Sequence, residues 1–134
     1  MPFVVFRDDA RRRIEVTASG SLTFDDFSAI FRLRAGDAQD YNLLLDSSAA
    51  TATISTGELR TAADKVKQAN IREGPRGNLA VIAGDDAVFG LARSYETLCE
   101  LAGIDTIQVF RDRAAAERWL AERPSTVRSD QRDR

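Results

Sequence analysis

Two short apolar runs, Leu43-Leu44-Leu45 and Leu79-Ala80-Val81-Ile82-Ala83, restrict the folds open to this chain more than any other feature. Neither run alternates apolar with polar residues. A strand with one face in water must alternate, so these runs suit strands covered on both faces, as in a parallel sheet. Thr106 to Phe110 supplies a further strand after them. Upstream, Phe3 to Arg7 and Ile14 to Ser19 flank Asp8-Asp9-Ala10 and read as a hairpin. Its second strand alternates Ile14, Val16, Ala18 against Glu15, Thr17, Ser19, and Gly20-Ser21 is expected to break it. The third strand is expected to end at Asp46, with a loop of small residues from Ser47 to Thr53.

The segments between strands carry helix signals. Thr23 followed by Asp26 is an acidic relative of the capping box, and Phe24, Phe27 and Phe31 share one face of a helix ending near Gly36-Asp37. Ser55 with Glu58 opens a second helix, whose apolar stripe (Leu59, Ala62, Ala63, Val66, Ala69) is narrow and mostly alanine. Gly74-Pro75-Arg76-Gly77 stops it. Asp85-Asp86 starts a third helix, with Val88, Leu91, Tyr95, Leu98 and Ala102 inward and Gly103 as its C-terminal signal. Asp112 caps a fourth, which packs Ala115, Ala116, Trp119 and Leu120. The order β-β-α-β-α-β-α-β-α predicts an α/β fold with a mostly parallel five-stranded sheet and an antiparallel edge strand.

The 134 residues fit one domain, expected over residues 1–123, with 124–134 as a disordered C-terminal tail. Histidine is absent, which excludes Ser-His-Asp and Cys-His catalysis and imidazole metal sites. One cysteine, Cys99, excludes an intramolecular disulfide and a multi-cysteine zinc site, and beside Leu98 it reads as a small core residue. A net charge of −2 leaves no electrostatic footprint for nucleic acid. Lysine occurs only at positions 65 and 67, and the many arginines are scattered along the chain. Neither a signal peptide nor a membrane span is visible, so a cytoplasmic protein without membrane insertion is expected.

In this order, Gly20-Ser21-Leu22-Thr23, Leu43-Leu44-Leu45-Asp46 and Phe89-Gly90-Leu91-Ala92-Arg93 resemble the SpoIIAA-like group, which shares the fold of sulfate-transporter and anti-sigma-antagonist (STAS) domains. Val109-Phe110-Arg111-Asp112 leading to Trp119-Leu120 extends the resemblance, which covers about residues 3–122 and looks most like small stand-alone bacterial members. It implies a non-catalytic regulatory or protein-interaction module. In antagonist members a strand-ending Asp precedes a loop and an Asp-Ser-Ser-Gly motif, one serine of which is phosphorylated. Asp46 matches the first, and Ser55 and Thr56, before Gly57, are the phosphorylation candidates, with Ile54 where the family has an acid. A phosphate there would meet free N–H groups and the positive end of the helix dipole. The same Ser55 with Glu58 also makes a capping box worth about 0.5–2 kcal/mol whatever the function.

Asp46, Asp85 and Asp86 follow strands and are ligand candidates, since open α/β sheets bind ligands beyond their strand ends. Each also reads as a cap of the loop or helix after it, and neither metal nor cofactor is expected. Phe89 lies off the stripe of the third helix and Gly90 weakens that helix, while Ile30 and Leu33 lie off the face of the first. With Arg93 these are the interface candidates, and they predict a homodimer burying apolar positions that a lone chain leaves wet. The alternative is a carrier or sensor of an apolar, lipid-like ligand, which the wider set of SpoIIAA-like folds includes. An enclosed pocket beside the first helix would favour it.

Overall fold

The structure, a computed structural model, describes residues 3–123. The expected tail, 124–134, lies outside the described residues. Strands β1 (Phe3–Asp8), β2 (Arg13–Thr23), β3 (Asn42–Thr53), β4 (Leu79–Ile82) and β5 (Ile107–Phe110) form one sheet in the order β1-β2-β3-β4-β5. The first pair is antiparallel and the other three are parallel, as the sequence predicts. Helices α1 (Phe24–Arg32), α2 (Thr56–Glu73), α3 (Asp86–Leu101) and α4 (Arg113–Ala121) follow β2, β3, β4 and β5.

This order places the helices. Each crossover steps one strand in the same direction, and right-handed crossovers then put α1, α2 and α3 on one face. Helix α4, after the last strand of the sheet, lies on the other face. The three-helix face buries Ile14, Val16, Leu43, Leu45, Val81 and Val109. On the opposite face, Leu44, Ala80 and Ile82 meet Ala116 and Leu120 of α4. The triple leucine is thus covered on both sides, Leu44 pointing opposite to its neighbours.

Two expectations are corrected. The second strand does not break at Gly20-Ser21 and the third does not end at Asp46. They continue side by side, pairing Ser19 with Ala49 through Thr23 with Thr53 after a register shift beyond Thr17. Small and β-branched residues fill this extension, where the backbone ladder rather than apolar burial decides the conformation. The first helix stops at Arg32, with Leu33 as its cap and a single 3₁₀ turn at Gly36–Ala38. The caps are as expected. Thr23 and Ser55 form capping boxes with Asp26 and Glu58, and Asp85 and Asp112 accept hydrogen bonds from the first turns of α3 and α4.

Candidate functional site

The alanine stripe of α2 has a spatial consequence. Ala62, Ala63 and Ala69 are buried, with bulk supplied by Leu59 at the start of the stripe and by half-buried Val66 beside the later alanines, and α2 packs on α3 rather than broadly on the sheet. Small side chains there leave a gap that leucine would fill. The gap is a cleft of about 510 Å³ between α1 and α2, floored by Leu79 and Ile107 where β4 and β5 begin. That volume lies in the range of small-molecule sites, about 300–1,000 Å³. Phe31, Val66 and Ala69 give it apolar walls. Phe31 also belongs to an aromatic cluster with Phe27 and Tyr95, ring centres 4.5 to 5.7 Å apart.

Arg34 lines the same cleft, although it is only 4% exposed. Its Nη1 donates to the carbonyls of Gly77 (2.8 Å), Tyr41 (3.1 Å) and Asn78 (3.4 Å). Its Nε has no hydrogen-bond partner among the described residues. Burial, helped by nearby Arg76, lowers the guanidinium to about 10, so it remains charged at neutral pH. Arg76 approaches the Arg34 carbonyl at 3.5 Å and pairs with Glu73 at 3.4 Å. Tyr95 lines the cleft as well. Its hydroxyl makes no hydrogen bond of normal geometry, the Cys99 thiol being its polar neighbour, and burial raises its pKa well above the usual value. Cys99 is buried and its thiol is pushed up to about 11, as suits a core residue.

The residues singled out by the sequence lie elsewhere. Asp46 stands inside β3 and not at its end, because the strand continues to Thr53. Its Oδ1 accepts from the Ser48 amide (3.1 Å) and hydroxyl (2.6 Å), and Arg113 lies 3.6 Å from Oδ2. Asp85 accepts from the amides of Ala87 and Val88 as the cap of α3, and Asp86 pairs with Arg111 at 2.9 Å. Among the described residues no three acidic or thiol side chains converge to hold a metal. Ser55 accepts from the Glu58 amide at 3.1 Å while Glu58 accepts from the Ser55 amide at 2.9 Å, and both Ser55 and Thr56 are exposed.

A lone chain does not leave Ile30 wet, as the helix spacing had suggested. It is fully buried, because the short α1 rolls Phe27 and Ile30 inward and leaves Phe24 and Phe31 half-buried. Leu33 is half-buried against the same core. Phe89 is half-buried with the Arg111 guanidinium 4.0 Å from its ring centre, Gly90 faces open space, and Arg93 is exposed. The apolar side chains left in water include Val4 (72% exposed) and Phe6 (58%), on the edge strand.

Comparison with known proteins shows the fold alone. A solved structure of an uncharacterised DUF3478-family protein with a SpoIIAA-like fold from Shewanella loihica PV-4 is similar, with a TM-score of 0.51. The similarity covers 88% of this chain and 91% of that one at 20% sequence identity. No protein-family model and no curated protein matches the chain. The α/β architecture is therefore a SpoIIAA-like fold, as the motifs implied. No helix among the described residues is long and apolar enough to cross a membrane.

Proposed function

We propose that this chain is a non-catalytic binding module of the STAS type whose cleft beside α1 takes a small apolar ligand, in the manner of a carrier or sensor. The cleft of about 510 Å³ carries the reading. It opens beside the first helix, and it is lined by alanines where a structural helix would present leucines. The sequence-derived carboxylates Asp46, Asp85 and Asp86 are engaged in caps and ion pairs away from the cleft, and Asp64 is the one acid among its described lining residues. The test is calorimetric titration with a neutral ligand, decanol. The wild type is expected to bind it. Ala69→Leu, which fills the cleft, is expected to abolish binding while keeping or raising Tm. Equal binding by both proteins would place the ligand elsewhere.

The edge strand favours a second reading, a module that pairs with another copy of itself. β1 has one neighbour, and Val4, Val5 and Phe6 are exposed along it. Such an edge is a template for pairing with another chain unless blunted. Sedimentation of the wild type and of Phe6→Glu decides the matter. A dimer that Phe6→Glu dissociates is expected, whereas a wild-type monomer at tens of micromolar, or two dimers, removes β1 as the interface.

A further inference from the structure

The cleft is chemically lopsided. Beside its apolar walls it is lined by five cations, Arg32, Arg34, Lys65, Arg72 and Arg76, against one acid, Asp64. The chain as a whole carries a net −2, so this local excess does not follow from composition. A buried guanidinium normally faces a carboxylate, because the isolated ion costs several kcal/mol to desolvate. No carboxylate pairs with Arg34 among the described residues. Its Nη1 is used on three carbonyls, whereas the Nε edge of the planar group, the edge that suits an oxyanion, is left without a partner. Tyr95 lines the same space, and its buried hydroxyl makes no hydrogen bond of normal geometry, with the Cys99 thiol as its polar neighbour. Arg76 lies close enough to both to act on them electrostatically.

We infer that the cleft receives the oxyanion head of a single-chain amphiphile, a free fatty carboxylate, at Arg34, Arg76 and the Tyr95 hydroxyl, with its chain along Phe31, Val66 and Ala69. The inference rests on the reading of the cleft as a ligand site and adds the head group. A carboxylate there supplies the missing acceptor, offsets the repulsion between two guanidiniums and keeps the alkyl chain on the apolar wall. A neutral alcohol of the same length satisfies only the last of these. Inorganic phosphate satisfies only the first two.

The full chain is titrated calorimetrically with decanoate, decanol and inorganic phosphate. Decanoate is expected to bind at least about tenfold more tightly than either, the usual worth of a charge-assisted contact. Removing Arg34 would also strip acceptor carbonyls of their donor, so the test rests on Tyr95→Phe and Arg76→Gln. Each is expected to weaken decanoate about five- to tenfold and to leave decanol unchanged. Tyr95→Phe deletes a buried hydroxyl that makes no hydrogen bond of normal geometry, so its Tm without ligand is expected to stay level or rise, which separates lost binding from lost folding. Equal binding of decanol and decanoate overturns the head-group assignment and leaves the cleft reading standing. Binding of neither overturns both. Phosphate binding as tight as decanoate, or co-sedimentation with phosphatidylglycerol vesicles, overturns the free amphiphile as occupant.

Discussion

Arg13 and Arg34 are both buried guanidiniums, and the two faces of the sheet treat them in opposite ways. Arg13, on the α4 side, has Glu15 at 3.0 Å and Glu117 at 2.8 Å. Arg113 joins the same two carboxylates and Arg11 also reaches Glu15. Burial pushes the Glu15 carboxyl up, but the hydrogen bonds from Arg13 and Arg113 outweigh it and hold the group below its usual value. That network closes on itself and needs nothing from outside. Among the described residues Arg34 is held by backbone carbonyls, and no carboxylate pairs with it. A buried charge without a counterion costs stability, and this is the feature on which the proposed oxyanion site rests.

The largest effect is expected at the carbonyl cage. A Cβ on Gly77 would lie 2.6 Å from the Asp40 carbonyl oxygen and closer still to that of Tyr41, both backbone atoms that cannot swing aside. Gly77→Ala must therefore displace the segment that presents acceptors to Arg34. A loss of at least about 3 kcal/mol is expected in urea unfolding, beyond most point substitutions. Gly90→Ala is the control. Its Cβ meets open space in a helix interior, and a gain of about 0.5–1 kcal/mol is expected. If both glycines tolerate alanine, the cage is softer than its geometry implies.

Much of this architecture is legible in the sequence because local chemistry decides it. Leu43-Leu44-Leu45 announces a strand covered on both faces, and Thr23, Ser55, Asp85 and Asp112 announce helix starts through bonds made within three residues. The long β2–β3 ladder is not legible, since Ser47 to Thr53 is small and polar and becomes strand only when Ser19 to Thr23 lies beside it. The cleft is half legible. The alanine stripe of α2 was visible as a narrow face, and a narrow face is also a gap. The cations were visible only as scattered arginines. Arg32 and Arg34 lie 38 to 44 residues from Arg72 and Arg76, and the crossover from β3 to β4 is what brings them to one rim. Asp46 misled because its strand-end position depended on a strand that did not end.

The next prediction sets the two arginines against each other. Arg34→Met removes the donor to the Tyr41 and Gly77 carbonyls, and a loss of about 2–4 kcal/mol is expected from the orphaned acceptors. Glu117→Gln leaves Arg13 with Glu15, and Glu117 is itself partly exposed, so a loss within about 1 kcal/mol is expected. Equal losses by thermal or urea unfolding would erase the distinction between a closed network and an open one.

The smallest expected effect concerns Glu96, a buried group with a way out that an arginine lacks. It lies on α3 with Oε1 lacking a hydrogen bond and Arg93 only 3.7 Å away across an exposed edge. Burial raises its pKa above the usual 4.5, with Arg93 and the Val109 backbone opposing and Glu100 adding to it. The folded chain therefore holds this proton more tightly than the unfolded chain does. Below 4.5 both states are protonated and the contribution to stability is complete. As pH rises, the unfolded carboxyl ionises first, and stability falls until the folded carboxyl also ionises. Glu96→Gln has no proton to lose. Its Tm is expected to be slightly above wild type at neutral pH, with the difference shrinking as the pH approaches 4.5. A variant less stable than wild type at neutral pH would mean that the ion pair with Arg93 outweighs burial. Glu96 would then belong with Arg13 among the compensated charges, and Arg34 would stand apart from both.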